Sequence, residues 1–79
     1  MARVLLFGPL RDVAGWRERD AEAASITALK ALLRAEDARL GEALAAPGVQ
    51  VALDQTIVRG DAALGPRSEV AFLPPMSGG

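Results

Sequence analysis

One amphipathic stretch in the middle of the chain limits what it can fold into. Ser25 is a good helix N-cap, and Ile26, Leu29, Leu32 and Leu33 follow at i, i+3, i+6 and i+7, while Lys30, Arg34 and Asp37 fall on other faces. The spacing predicts a central helix with one apolar stripe, running from Ser25 to about Ala38. Leu40 and Leu44 continue a second short helix past Gly41 until Pro47-Gly48 stops it. A single stripe must be buried against something. With 79 residues the chain has room for one domain, so the cover has to come from the segments on either side.

Those segments read as strands. Arg3 to Leu10 is an apolar run closed by Gly8-Pro9, bounded like a buried strand. If the helix covers one face of this run, the other face still needs cover, and Phe7 is the residue that raises the question. Val49, Val51 and Leu53 alternate with Gln50 and Ala52, the period of a strand with one buried face. Asp54-Gln55 turns the chain into Thr56-Ile57-Val58. Gly60-Asp61 and Gly65-Pro66 then bracket the short Ala62-Ala63-Leu64, and Glu69 to Leu73 is a last strand apolar enough to lie inside a sheet. Between Asp12 and Glu22 no period stands out; Trp16 is expected to pack at the domain edge and Arg17-Glu18-Arg19-Asp20 to be solvated. The order predicts an α+β domain with the helix across one face of a mixed sheet.

Composition removes most chemistries. There is no cysteine and no histidine, so the chain offers no disulfide, no thiol nucleophile and no imidazole base or ligand, and no metal site is expected. Nine basic and ten acidic residues are scattered along it, for a net charge of −1, and no basic stripe for nucleic acid stands out. The apolar run at the N-terminus is broken by Gly8-Pro9, and no run approaches a membrane span, so a soluble cytoplasmic protein with no membrane partner is expected. Glu36-Asp37 could be offered as a carboxylate pair, but helix neighbours point in different directions and solvated surface is the plainer reading. Ser77 has no base to activate it.

What remains is the end of the chain, Phe72-Leu73-Pro74-Pro75-Met76-Ser77-Gly78-Gly79. Two prolines fix φ and disfavour a helix at Leu73, so the segment should leave the domain extended. From Leu73 to Gly79 it could span roughly 23 to 25 Å. Gly78 and Gly79 carry no side chains and could pass through a channel closed to other residues. A delivery arm and a frayed terminus fit these residues equally well.

Val51-Ala52-Leu53-Asp54-Gln55-Thr56, then Glu69-Val70-Ala71-Phe72-Leu73-Pro74-Pro75-Met76-Ser77-Gly78-Gly79, resembles the second half of the MoaD-type small subunit of molybdopterin synthase. Val4-Leu5-Leu6-Phe7-Gly8-Pro9-Leu10-Arg11, with Gly15 following, is similar to that family's opening strand and loop. The resemblance covers nearly the whole chain, and the Phe-Leu-Pro-Pro-x-Ser-Gly-Gly ending is its most specific part. It implies a ubiquitin-like β-grasp domain over residues 1–73, with Arg17 to Ala24 as the second strand of a hairpin, and a flexible C-terminal tail over residues 74–79. It also implies that an adenylating enzyme uses ATP to activate the Gly79 carboxylate, which then becomes a thiocarboxylate. Gly78 would let the tail thread into the large subunit of a heterotetrameric molybdopterin synthase, with Phe72, Leu73, Pro74, Pro75, Met76 and Phe7 as partner contacts. The chain itself would bind no cofactor and would be a sulfur donor, not an enzyme on its own. One departure is Pro66-Arg67-Ser68 before Glu69, where the family commonly has Gly-Asp, which leaves that turn open. Two rivals remain: a β-grasp sulfur carrier for thiamine or tRNA thiolation, and a ubiquitin-like interaction module that is never activated.

Overall fold

A computed structural model describes the chain from Met1 to Pro75. In chain order the elements are β1 (Ala2–Leu6), α1 (Pro9–Ala14), β2 (Glu18–Ala21), α2 (Ile26–Glu36), α3 (Ala38–Leu44), β3 (Gln50–Leu53), β4 (Thr56–Val58) and β5 (Glu69–Leu73). The strands form one five-stranded sheet in the order β2-β1-β5-β3-β4. β1 and β5 run parallel, and the other pairs are antiparallel, so the sheet is mixed. The last strand in sequence is thus the middle strand in space. This is the ubiquitin-like β-grasp expected above, with α2 as the main helix across one face.

Strand alternation decides which residues enter the core. Ala2, Val4 and Leu6 of β1 are buried, as are Val70 and Phe72 of β5 and Val51 of β3. They meet Ile26, Leu29 and Leu33 of α2, Leu40 and Leu44 of α3, and Leu10 of α1 in one cluster. Burying a side chain of this size contributes roughly 1.5 to 3 kcal/mol.

The first apolar run corrects the sequence reading. β1 ends at Leu6, not Leu10, because Gly8 turns the chain at φ 58 and Pro9 opens α1. At the first helical position a proline's missing N–H is no loss. Leu10 therefore reaches the core from a helix. β2 pairs with β1 as expected, Ala2 opposite Ala21 and Leu5 opposite Glu18, but it is shorter than Arg17 to Ala24, and α1 separates the two strands. Trp16 is half-buried, with the Arg19 guanidinium 5.5 Å from its ring centroid.

The central helix forms as its cap predicts. Ser25 Oγ accepts from the Ala28 amide at 3.1 Å. A second acceptor comes from far along the chain: Asp61 Oδ1 takes the Thr27 amide at 2.9 Å and the Ala62 amide at 2.9 Å. These bonds, the Thr27 amide foremost, hold the Asp61 carboxyl below its ordinary value of 3.8. α2 stops at Glu36, two residues short of the expected end, because Asp37 leaves helical geometry to cap α3, its Oδ1 accepting from the Arg39 and Leu40 amides. Glu36 instead pairs with Arg19 at 2.6 Å. Gly41 lies inside α3, where the two helices touch: a Cβ there would sit 2.7 Å from Arg34 Cβ.

The turn left open by the sequence is closed by a side chain. Ser68 Oγ accepts from the Gly65 amide at 2.8 Å, and the Ser68 amide donates to the Gly65 carbonyl at 3.2 Å. Asp54 and Gln55 both adopt positive φ, 48 and 70, the geometry of a two-residue hairpin whose twist matches its strands.

Candidate functional site

Because β1 and β5 are parallel, their C-terminal ends reach the same edge of the sheet. Leu6 pairs with Phe72, so Phe7 and Leu73 are neighbours one step further on, and β3 brings Gln50 opposite Leu73 from the other side. Pro74, half-buried, and Pro75, exposed, leave from this corner.

The face of the sheet away from the helices carries a row set by the pairing register. Leu5 lies opposite Ala71, Ala71 opposite Ala52, and Ala52 opposite Ile57. Ala71 and Ala52 are small and nearly covered by their neighbours, 9 % and 7 % exposed, whereas Phe7 and Ile57 are each 43 % exposed. Exposed apolar surface on this face therefore lies at its two sides, Leu5 and Phe7 on one and Ile57 on the other, and the Phe7 side ends beside the prolines. At the opposite end of β1 the same face is charged: Arg3 bonds Glu18, and its Nη1 lies 3.3 Å from Asp20 Oδ1. An apolar patch with a charged margin suits a protein partner.

The structure divides the residues expected at the site. Phe7, Leu73, Pro74 and Pro75 come together at one corner. Phe72 does not join them: it is fully buried on the helix side, so its side chain serves the core, and the contact role expected of it is corrected. Parity is the physical reason, since β5 turns Phe72 with Val70 toward the helices and Leu73 with Ala71 away. The roles expected of Met76, Gly78 and Gly79 lie outside the described residues. Leu5, Ala52, Ala71 and Ile57 were not foreseen. Only Leu5 and Phe7, which share one parity of the first apolar run, and Ala52 between Val51 and Leu53 could have signalled a second apolar face.

Among the described residues no group of His, Cys, Asp and Glu could hold a metal ion, and no helix is long and apolar enough to cross a membrane. What the arrangement can do chemically is bind a partner's surface and present the segment that follows Pro75.

Comparison with known proteins agrees with this architecture. The ThiS family matches residues 4–79. Among solved structures, small archaeal modifier protein 1 (SAMP1) from Methanosarcina acetivorans superposes with a TM-score of 0.88 at 20 % identity, covering 99 % of this chain and 95 % of that one. SAMP1 from Haloferax volcanii superposes with a TM-score of 0.78 at 23 % identity, covering 99 % of this chain and 98 % of that one. No curated protein matches the sequence.

Proposed function

We propose, from the premise that this chain belongs to the ThiS family of ubiquitin-like sulfur carriers, that it is the sulfur-donating small subunit of molybdopterin synthase. The observation that carries the reading is the continuity of the open apolar face with the proline corner. A partner that grips Phe7, Leu5 and Ile57 also receives the chain beyond Pro75, so docking and delivery are one event.

The chemistry belongs to the Gly79 carboxylate. A carboxylate is a poor acylating agent because its charge repels nucleophiles and oxide is a bad leaving group. In the proposed sequence a partner enzyme lets it attack the α-phosphate of ATP, which releases pyrophosphate and leaves an acyl-adenylate. The outer sulfur of a donor persulfide then displaces AMP to give an acyl disulfide, and a second thiol of the donor attacks the donor's own sulfur, closing a disulfide and releasing the thiocarboxylate. Inside the large subunit that sulfur attacks the pterin precursor, water hydrolyses the resulting thioester to return Gly79 to a carboxylate, and two such deliveries complete a dithiolene. Acid–base groups come from the partner, in keeping with a chain that has no histidine.

The test is the intact mass of the protein from its native host, with fragmentation across the last residues. A species in which one sulfur replaces one oxygen at Gly79, together with capture of a pterin-binding large subunit, supports the proposal. Capture of a thiazole synthase or a tRNA-thiolating enzyme would move the same carrier to another acceptor. Loss of sulfur transfer when one residue is appended after Gly79 is the third expected outcome.

The likeness to SAMP1 favours a second reading, that of a modifier whose activated Gly79 forms an amide with an amine of another protein. The two readings share activation and divide at the nucleophile. Recovery of the chain joined through Gly79 to lysines of other proteins would establish the second.

A further inference from the structure

Two glycines from distant parts of the chain each face one proline at the corner from which the chain leaves the domain. Gly8, between β1 and α1, has φ 58, and a Cβ built on it would lie 3.0 Å from Pro74 Cγ. Gly48, between α3 and β3, has φ 88, and its Cβ would lie 2.9 Å from Pro75 Cβ, 3.3 Å from Cγ and 3.6 Å from Cα. Positive φ alone does not account for this pair. Gly15 at φ 83 and Gly60 at φ 84 also have positive φ, yet a Cβ on either would meet nothing within 4 Å. At Gly8 and Gly48 the missing Cβ makes room for a ring.

Proline makes such a seat effective. Each ring locks its own φ, and Pro75 also restricts Pro74, so two seated rings hold the backbone as a short rigid rod. Four more residues reach at most about 14 Å, so where a partner's channel holds them extended a tilt of about 10° at Pro75 would move their far end by about 2 Å. A misplacement of about 1 Å can cost a reaction about a hundredfold. We infer that Gly8 and Gly48 are positioning residues, a clasp that seats Pro74 and Pro75 and aims the chain that carries Gly79 into a partner's active site. This inference rests on the carrier reading above.

The experiment uses the full chain with an ATP-dependent adenylating enzyme that activates the native protein. Gly48→Ala is compared with Gly60→Ala, which places the same strain on a left-handed backbone away from the prolines. Both should lower the unfolding midpoint by similar amounts. Only Gly48→Ala should shift the Pro75 ring resonances and remove their nuclear Overhauser contacts to residue 48. It should also lower kcat/KM for adenylate formation by about tenfold or more relative to Gly60→Ala, within the loss a small misplacement can cause. The paired variants carry the decisive result. In a Pro75→Gly background, which lacks the clashing ring, Gly48→Ala should have no further effect on adenylation. Gly8→Ala should likewise lose its effect when Pro74→Ala removes the ring carbon it meets. Equal behaviour of Gly48→Ala and Gly60→Ala in the Pro75 signals would overturn the clasp, as would an adenylation effect that persists in the Pro75→Gly background. If Gly48→Ala moves Pro75 as expected but no enzyme activates even the native chain, the seat stands while the carrier reading, and the purpose given to the seat, fall.

Discussion

The two phenylalanines of this chain lie on opposite faces of one sheet. Phe72 points from β5 into the layer beneath α2 and α3 and is 0 % exposed, whereas Phe7, just past β1, is 43 % exposed beside Leu73. The covered face is filled with large aliphatic side chains packed between sheet and helices. The open face is graded: alanines in the middle strands, larger apolar residues toward the edges, and a charged margin around Arg3. Stability resides in the first face, and the exposed residues of the second are the ones left for recognition under the proposed function, since surface that is already buried cannot be gained on binding.

The comparison is sharpened most by Phe72→Ala. Truncating a fully buried phenylalanine leaves a cavity and should cost about 3 to 5 kcal/mol, measured by chemical denaturation. A loss near zero would show that Phe72 is not held in the core. Gly41→Ala comes next, because the new methyl would meet Arg34 Cβ at 2.7 Å and Cα at 2.9 Å, so α2 and α3 must part. Overpacking of this kind typically costs about 1 to 3 kcal/mol. At the head of the same layer, Ser25→Ala removes a cap and should cost about 0.5 to 2 kcal/mol.

Acid probes that helix end from a different side. The folded Asp61 carboxyl is held below its ordinary value, so its contribution is fully present above pH 3.8 and is lost as the pH falls from there through the lower folded value. Asp61→Asn should lower the denaturation midpoint at neutral pH and flatten its fall in acid. An unchanged acid profile would remove Asp61 from the cap.

The smallest effect on stability belongs to the open face. Phe7→Ala should change unfolding free energy by no more than about 0.5 kcal/mol. It should nevertheless weaken binding of the large subunit proposed as its partner at least about tenfold if Phe7 anchors the contact, a cost of about 1.4 kcal/mol or more by titration calorimetry. A large stability loss without a binding loss would reverse the roles given to the two faces.

Much of the fold was legible because local rules and global packing agree. The stripe of Ile26, Leu29 and Leu33 declared α2, Ser25 declared its start, and Asp54-Gln55 declared the hairpin between β3 and β4. α1 was hidden because its first residues, Pro9 and Leu10, continue an apolar run that reads as strand, and a helix of six residues is too short to show a period. The role of Phe72 was misread for a related reason: it stands within an apolar tail motif, and composition does not say which way a strand residue points.

By itself the chain determined one amphipathic helix, its cap, most of the strands around it, and the proline pair that follows the last strand. Each of these depends on residues close together in sequence, where spacing and dihedral preference act directly. Tertiary structure decided the rest. Pairing of β5 between β1 and β3 chose which strand parity meets the helices, sending Phe72 inward and leaving Phe7 outside. The same pairing brought Gly8 to Pro74 and Gly48 to Pro75, contacts that arise only once three distant segments end at one corner of a sheet.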